Sequence, residues 1–372
     1  MGQQLEKLSI RGFKSIESLN DFALGRLTVM IGANGAGKSN FVDFFRMLRA
    51  VANEDLQGFI RQGGGADGFF FLGPKRTNQI TARLQFGENV YEFELKPAAG
   101  GTLFVSEERV KYTGGTGKGE FDYIGKGNLE SQLKARRNDQ AYSGKGKGVS
   151  WYVYDAISSW MAYHFNDTSF LAGVRRPQEV QDKAQLGPEA GNIAPFLLGL
   201  QERHGNQYGF LLDTIRLVAP YFDDFDLQPE SNGNAEMVEL KWRQKGSDFP
   251  FRAYQFSDGT LRFICLATAL LQPRPPSTMI IDEPELGLHP YAIALLADLI
   301  KSAAKHTQVI VATQSPILLD HFGPEEIVVV SRREGQSVFE RLDPEMLREW
   351  LDEYSLGELW QKNVVRGGPT HE

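Results

Sequence analysis

Apolar positions fall into short dense runs separated by breaks rich in glycine, proline and acids, and the spacing inside each run predicts an element. Residues 5–10 and 13–16 read as strand material. Residues 27–31, Leu-Thr-Val-Met-Ile, are apolar and β-forming without alternation, as in a strand covered on both faces. Past a break at 32–37, Phe41, Val42, Phe44, Phe45, Met47 and Leu48 suit a well-buried helix. Residues 79–95 alternate instead: Ile80, Ala82, Leu84 and Phe86, then Val90, Tyr91, Phe93 and Leu95, with Gly87-Glu88-Asn89 breaking the run as a hairpin turn would. A further strand is expected over 102–112. Beyond an aromatic-rich stretch at 151–165, helices are expected over 192–218, 260–271 (ended by Gln272-Pro273) and 291–304. Strands are expected over 238–242, 279–281, 308–312 and 327–331.

Strands alternating with helices at both ends of the chain predict a largely parallel α/β core. The middle then reads as an insertion, with 114–148, rich in Gly and Lys, as a long mobile loop. At roughly 150 residues per domain, 372 residues allow two or three units. Net charge is −7, which argues against a wholesale basic nucleic-acid binder. A local basic patch stays open: from Arg109 to Lys147 there are nine basic residues (Arg109, Lys111, Lys118, Lys126, Lys134, Arg136, Arg137, Lys145, Lys147) against four acids (Glu120, Asp122, Glu130, Asp139). No apolar run is long enough to span a membrane, and the first residues carry no apolar leader segment. The single cysteine, Cys265, cannot form an internal disulfide, which suits a reducing, cytoplasmic compartment. Its place on the apolar face of the 260–271 helix reads as core.

Candidate chemistry concentrates at two breaks. The first, Gly32-Ala33-Asn34-Gly35-Ala36-Gly37-Lys38-Ser39-Asn40, fits the phosphate-loop spacing of two glycines, a lysine and a hydroxyl. Glycines let the backbone approach phosphates closely, and the N–H groups opening the next helix favour negative charge. Lys38 is the expected donor to the β- and γ-phosphates of ATP, and the Ser39 hydroxyl the expected Mg²⁺ ligand. The competing reading, a chance glycine-rich turn, is weakened by the strand before it and the helix after it. The second break closes the apolar strand 278–281 with Asp282-Glu283. Asp282 would bind Mg²⁺ directly or through water, and Glu283 would orient or deprotonate the attacking water. Alone, these two acids could equally be an acidic turn.

Together with other stretches, these breaks resemble a known family. They are Leu8-Ser9-Ile10-Arg11-Gly12-Phe13-Lys14-Ser15, Phe256-Ser257-Asp258-Gly259-Thr260, Ile281-Asp282-Glu283-Pro284-Glu285-Leu286-Gly287-Leu288-His289-Pro290, residues 163–169 and residues 311–316. The chain resembles an ABC-type ATPase head of the RecF/SMC/OLD-like (AAA_21-like) group, in a short form without coiled-coil arm or TOPRIM domain. That resemblance implies an α/β P-loop NTPase: a mostly parallel core sheet, an antiparallel β lobe and an inserted helical lobe. It divides the head into 1–105 with the phosphate loop, 106–250 as the inserted lobe, and 251–372 with the remaining motifs.

Residue by residue, the resemblance makes Asn34, Gly35, Ala36, Gly37, Lys38, Ser39 and Asn40 the nucleotide loop, Ser39 and Asp282 the metal ligands, and Glu283, Lys38 and Gln314 the catalytic set. Gln314 stands where many ABC ATPases carry a switch histidine; an amide can bond a γ-phosphate but does not titrate near neutrality. Ser257 and Gly259 occupy the signature position, facing nucleotide held by a second subunit. The usual Leu-Ser-Gly-Gly-Gln is altered, with Phe256, Asp258 and Thr260 substituting, so Asp258 is expected to point away or to cap the helix. Leu286-Gly287-Leu288-His289 matches the D-loop, although His289-Pro290 also suits a plain helix start. No Q-loop glutamine is assigned: His164 or Asp167 is the candidate, with Gln62, Gln79 and Gln178 behind them. A histidine beside aromatics also fits an ordinary core residue. Arg11 and Lys14 are candidates for nucleotide or nucleic-acid contact, or for a solvated edge.

Three functions are compatible with these motifs. The first is an ATP-driven switch, a homodimer sandwiching ATP that controls a separate effector, a nuclease or toxin, in anti-phage defence or DNA maintenance. A DNA-binding repair ATPase is the alternative. An ABC transporter's nucleotide-binding subunit shares the motifs but fits the Asp282–Pro290 run less well, and no membrane contact is expected. A nuclease domain in cis is not expected in the 56 residues after Pro316.

Overall fold

The computed structural model describes residues 4–114, 119–137, 148–233 and 235–365. From the start come β1 (Lys7–Phe13), β2 (Ile16–Ala23), β3 (Leu27–Ile31), α1 (Lys38–Ala52) and α2 (Leu56–Gln62). The middle holds β4 (Ile80–Phe86), β5 (Asn89–Ala98), β6 (Thr102–Tyr112), β7 (Asp122–Gly125), α3 (Leu133–Arg136), α4 (Val149–Ser159), β8 (Met161–Tyr163) and β9 (Gln178–Glu179). Then follow α5 (Ile193–Arg203), α6 (Gly205–Val218), β10 (Phe222–Asp226), β11 (Glu230–Asn232), β12 (Ala235–Val238), β13 (Lys241–Gln244) and β14 (Phe251–Arg252). The last third holds α7 (Asp258–Leu271), β15 (Thr278–Asp282), α8 (Pro290–Ala304), β16 (Gln308–Thr313), α9 (Pro316–Leu319), β17 (Ile327–Arg333), β18 (Gln336–Arg341), α10 (Pro344–Leu351) and α11 (Leu356–Gln361).

The core sheet runs β18-β17-β3-β16-β15-β8, parallel throughout except for the β17–β18 hairpin. Every side chain of β3, β15 and β16 is buried, which explains their unbroken apolar runs. Successive residues serve two cores. Val29, Ile31, Met279, Ile281, Val309 and Val311 pack with α5, α6, α7 and α8. Met30, Ile280, Ile310 and Ala312 pack on the other face with α1, α4 and a second sheet. That second sheet is antiparallel, ordered β2-β1-β4-β5-β6-β7. Its β4–β5 hairpin turns at Gly87-Glu88, where the alternation breaks.

Three segments differ from expectation. Within 13–16, Phe13 ends β1 and Ile16 starts β2, but Lys14 and Ser15 form a turn, with Lys14 at φ 47° reversing β1 into β2. The expected strand 238–242 is split, because β12 pairs with β9 while β13 pairs with β10, so the chain changes sheets at 239–240. Within 114–148, the described residues 119–137 carry β7 and α3 rather than a featureless loop. They are fastened to the antiparallel sheet through the buried carboxylate of Glu108. Its Oε1 accepts from Tyr91 and Ser131, each at 2.5 Å, and its Oε2 from the Gln132 amide at 2.8 Å. Burial pushes the Glu108 pKa up, and these donors partly offset that. Glu130 likewise accepts from the Leu56 and Gln57 amides at the start of α2. Lys118, Asp139, Lys145 and Lys147 lie outside the described residues.

Several members of the expected basic patch have partners. Arg109 pairs with Glu92 and Glu107, Lys134 with Glu54, and Arg137 lies over the Tyr154 ring. Among the described residues, no helix is long and apolar enough to cross a membrane.

Cys265 is buried in α7, and desolvation pushes its thiol up to about 12. A raised thiol pKa leaves almost no thiolate at neutral pH, and reactivity follows the thiolate. At pH ~8 the native protein is therefore expected to resist alkylation by iodoacetamide and to react readily once denatured. Rapid labelling of the native protein, read by mass spectrometry, would place Cys265 outside the core.

Candidate functional site

The parallel ladder brings four chain breaks to one edge of the core sheet. Asp282 pairs with Ala312, Thr313 with Ile31, and Ile281 with Tyr163. The residues that leave the sheet at this carboxyl edge are therefore Gly32, Glu283, Gln314 and His164. Open α/β sheets present ligand sites at such an edge.

The Gly32–Ser39 loop is braced from behind. Asn40 Nδ2 donates to Ser15 Oγ at 2.7 Å, Ser15 Oγ lies 2.6 Å from Ser337 Oγ, and Ser337 Oγ donates to the Ala36 carbonyl at 2.6 Å. Gly37 adopts φ 113° against this brace, where a Cβ would collide with Ser337 Oγ. Gly35, at φ 78°, has open space on its own Cβ side. Asn34, Gly35 and Ser39 are exposed, and Ala36 is buried. Lys38 opens α1 and is buried, its ammonium turned back onto the carbonyls of Gly32 (2.6 Å) and Ala33 (3.2 Å). Burial pushes the Lys38 pKa down, while Glu283, Asp282 and Glu285 pull it up. No carboxylate among the described residues forms an ion pair with it. A cation near three acids yet bonded only to carbonyls keeps protons that a phosphate oxygen could accept.

The acids differ sharply in environment. Asp282 is buried, and its Oδ1 has no hydrogen-bond partner among the described residues. Burial raises its pKa, with His164 opposing. Glu283 sits at φ 48°, an uncommon backbone state for a side chain of this size. Its Oε1 accepts from Gln314 Nε2. Glu285 holds the other end of that residue: its Oε1 accepts from the Gln314 amide at 3.0 Å and from Thr313 Oγ1 at 2.6 Å. Gln314 is thus clamped at backbone and side chain by two carboxylates two residues apart. Burial raises the Glu285 pKa, partly offset by these donors.

Ser257 and Gly259 belong to a separate cluster. Ser257 caps α7, accepting from the Thr260 amide at 3.2 Å. Asp258 does not cap; it turns outward to Arg175 at 2.9 Å. Arg175 also donates to the Ala253 and Thr168 carbonyls. A Cβ on Gly259 would run into the Gly287 carbonyl oxygen, so α7 and the 285–289 turn touch backbone to backbone. Arg262 fastens three segments by donating to the carbonyls of Phe165, Asn166 and Leu286. His289 caps α8 through Nδ1, as a plain helix start would.

Of the other candidates, Arg11 bonds Asn20, and Lys14 pairs with Asp43 on α1. Asp167 is exposed and accepts from the Ser169 amide. The bracing Ser337 and the fastening Arg175 and Arg262 are not visible as motifs; each acts on segments far from it in sequence. Glu285 lies inside a recognised stretch, but the sequence gives no sign that it holds Gln314.

A parallel sheet whose carboxyl edge carries a glycine loop with an inward lysine, a paired acidic turn and a clamped glutamine defines an ABC/SMC-like ATPase head. The chain belongs to the family described as "AAA domain, putative AbiEii toxin, Type IV TA system", which it matches over residues 27–143 and 147–320. Its fold is similar to that of an SMC head solved bound to the C-winged helix domain of ScpA (TM-score 0.56, 16% identity, covering 93% of this chain and 99% of that one). It is similar also to an SMC head with an extended coiled coil bound to the C-terminal domain of ScpA from Pyrococcus furiosus (TM-score 0.53, 16% identity, 95% and 99% covered). Comparison with curated proteins gives no match.

The brace behind the loop predicts unequal costs for two glycine substitutions. Gly35→Ala is expected to carry only backbone strain, on the order of 1 kcal/mol. Gly37→Ala adds the collision with Ser337 and is expected to cost more, up to about 3 kcal/mol. Thermal melts of the two variants check this, and equal melting points would contradict the packing behind the loop.

Proposed function

We propose that this protein binds and hydrolyses ATP with Mg²⁺, and that two copies close face to face around two nucleotides to form a switch read by a partner protein. The observation that carries the reading is the convergence of Lys38, Asp282, Glu283 and Gln314 at one strand edge. In it, Lys38 exchanges its loop carbonyls for β- and γ-phosphate oxygens, and the N–H groups opening α1, with Asn34, Gly35, Ala36, Gly37 and Asn40 around them, surround the phosphates. The buried, unpartnered Asp282 Oδ1 needs a cation or a donor, which suits a metal held there with Ser39. When bound, Mg²⁺ neutralises charge on the phosphate oxygens. Glu283 accepts the proton of the attacking water, and Gln314, fixed by Glu285, orients that carboxylate.

The sandwich is supported by the second cluster. Its segments expose Phe170 (78%), Leu171 (68%), Tyr254 (54%), Leu286 (44%) and Tyr291 (56%), apolar area of the kind that protein interfaces cover. In the closed pair, Ser257 and Gly259 of each copy complete the other copy's site. The family description names a putative toxin of a toxin–antitoxin system, which favours a toxin setting; a separate toxin or nuclease as the effector, and a role in defence, belong to the proposal. The SMC heads solved with ScpA domains support a small protein domain as the partner. A repair ATPase acting on DNA is less supported, since Arg109, Lys134 and Arg137 are already engaged.

Lys38→Ala is expected to weaken ATP binding on the order of a hundredfold, by loss of a buried charge-assisted contact. Glu283→Gln should keep ATP, lose about 10²–10⁴ in turnover, and accumulate as dimer in size-exclusion chromatography with ATP. Unchanged affinity in the first, or a monomer saturated with ATP in the second, would count against the loop and the sandwich respectively. Mixing tests the sandwich directly. Lys38→Ala and Ser257→Arg chains, each inactive alone, should regain hydrolysis together, because the mixed dimer holds one intact site. No recovery on mixing would mean that Ser257 does not act across an interface.

A further inference from the structure

Arg332 is left without a role by this reading. It lies near the end of β17, in a hairpin that closes through Glu334 (φ 50°) and Gly335 (φ 78°), the backbone of a tight two-residue turn. The β17–β18 register sets Arg332 opposite Ser337, so the two side chains leave one face of the hairpin side by side. That face meets the phosphate loop. β17 pairs in parallel with β3 as far as Val329 and Ile31. A Cβ on Gly32 would run into the Val330 carbonyl oxygen, so the loop starts in backbone contact with the hairpin. Two successive loop carbonyls then accept from it: Gly35 from Arg332 Nη1 at 3.2 Å, and Ala36 from Ser337 Oγ at 2.6 Å.

A trans peptide unit carries its C=O and N–H on opposite sides. Holding the Gly35 and Ala36 carbonyls against the hairpin therefore turns the Ala36 and Gly37 N–H groups away from it. The Ala36 N–H closes a turn onto the Ala33 carbonyl at 3.2 Å, which also accepts from Lys38. The Gly37 N–H stands at the start of α1, where helix N–H groups lack acceptors of their own. Arg332 also differs from its neighbour. Arg333 pairs with Glu340 at 2.7 Å, whereas Arg332 is exposed, pairs with no acid among the described residues and spends its hydrogen bond on Gly35.

We infer that Arg332 is a positioning residue for ATP: by holding the Gly35 carbonyl beside the Ala36 carbonyl held by Ser337, it keeps the phosphate loop in its binding shape before nucleotide arrives. The inference rests on the nucleotide reading of the loop. A loop set in advance spares the ligand the cost of ordering it, so the effect falls on affinity. Glu283 and Gln314 leave the sheet from other strands, so turnover at saturating ATP changes little.

The test measures ATP affinity by calorimetry, and kcat and KM by steady-state hydrolysis, on the full chain with Mg²⁺. Arg332→Ala is expected to weaken ATP binding about tenfold and to raise KM by a similar factor, with kcat within about twofold. Arg332→Lys keeps a charged donor and should recover most of the loss. Arg333→Ala removes the same charge one residue away without touching the loop, and should leave affinity unchanged. Equal weakening by Arg332→Ala and Arg333→Ala would mean that charge alone matters, and overturns the positioning role. Unchanged affinity in Arg332→Ala, or a fall in kcat with KM unmoved, overturns it too, while wild-type binding keeps the loop assignment intact. Failure of the wild-type chain to bind ATP overturns both.

Discussion

The register of one parallel ladder is the constraint on which the site depends. Because β3, β16, β15 and β8 pair in parallel, their carboxyl ends come level, and four segments from across the chain leave the sheet along one line. A shift of one residue in any of these strands would exchange its two faces, exposing Val311 or Ile281 to the wrong core, and would carry Gln314 or Glu283 out of reach of the loop. The two hydrophobic cores therefore do more than stabilise. By fixing which residue of each strand faces α1 and which faces α7 and α8, they fix where the turns carrying Gly32, Glu283 and Gln314 begin.

The second constraint is electrostatic. Three acids and one lysine share a partly dry edge, yet among the described residues the lysine pairs with none of the acids. Burial raises the pKa of Asp282 and Glu285 and lowers that of Lys38, so each group is held where its charged form is less comfortable than in water. Backbone carbonyls, Thr313 and Gln314 relieve part of this cost. In the proposed function, an anionic ligand bound with its cation would relieve more of it.

The Ser257–Gly259 turn stands apart from that edge, but it is not loose. Arg175, Arg262 and the Gly259–Gly287 contact fasten it to the 165–175 segment and to the turn after Glu283. The turn carrying Glu283 and Glu285 therefore reaches the lysine edge at one end and the exposed apolar cluster at the other. In the proposed closed pair, movement of that cluster would be felt at Gln314 through Glu285.

The sequence by itself determined the strands, the glycine loop and the acidic turn. Each is a local pattern: unbroken apolar runs demand burial on both faces, glycines permit turns closed to other residues, and acids after such a run mark the strand's end. Assignments that depended on partners were less legible. Residues 13–16 and 238–242 each looked like one continuous strand, but the first holds a reversal between Phe13 and Ile16, and the second changes sheets because its two parts pair with different distant strands. The described residues at 119–137 looked unstructured because their order comes from Glu108 and the start of α2 rather than from any periodicity of their own. Only the tertiary structure decided that Ser15 and Ser337, 322 positions apart, brace the loop. It decided too that Glu285 clamps Gln314 and that His164 stands beside Asp282, its Nδ1 without a hydrogen-bond partner among the described residues. Hydrogen bonds and buried orphan atoms are properties of approach in space, and a linear pattern encodes that approach only through the packing that produces it.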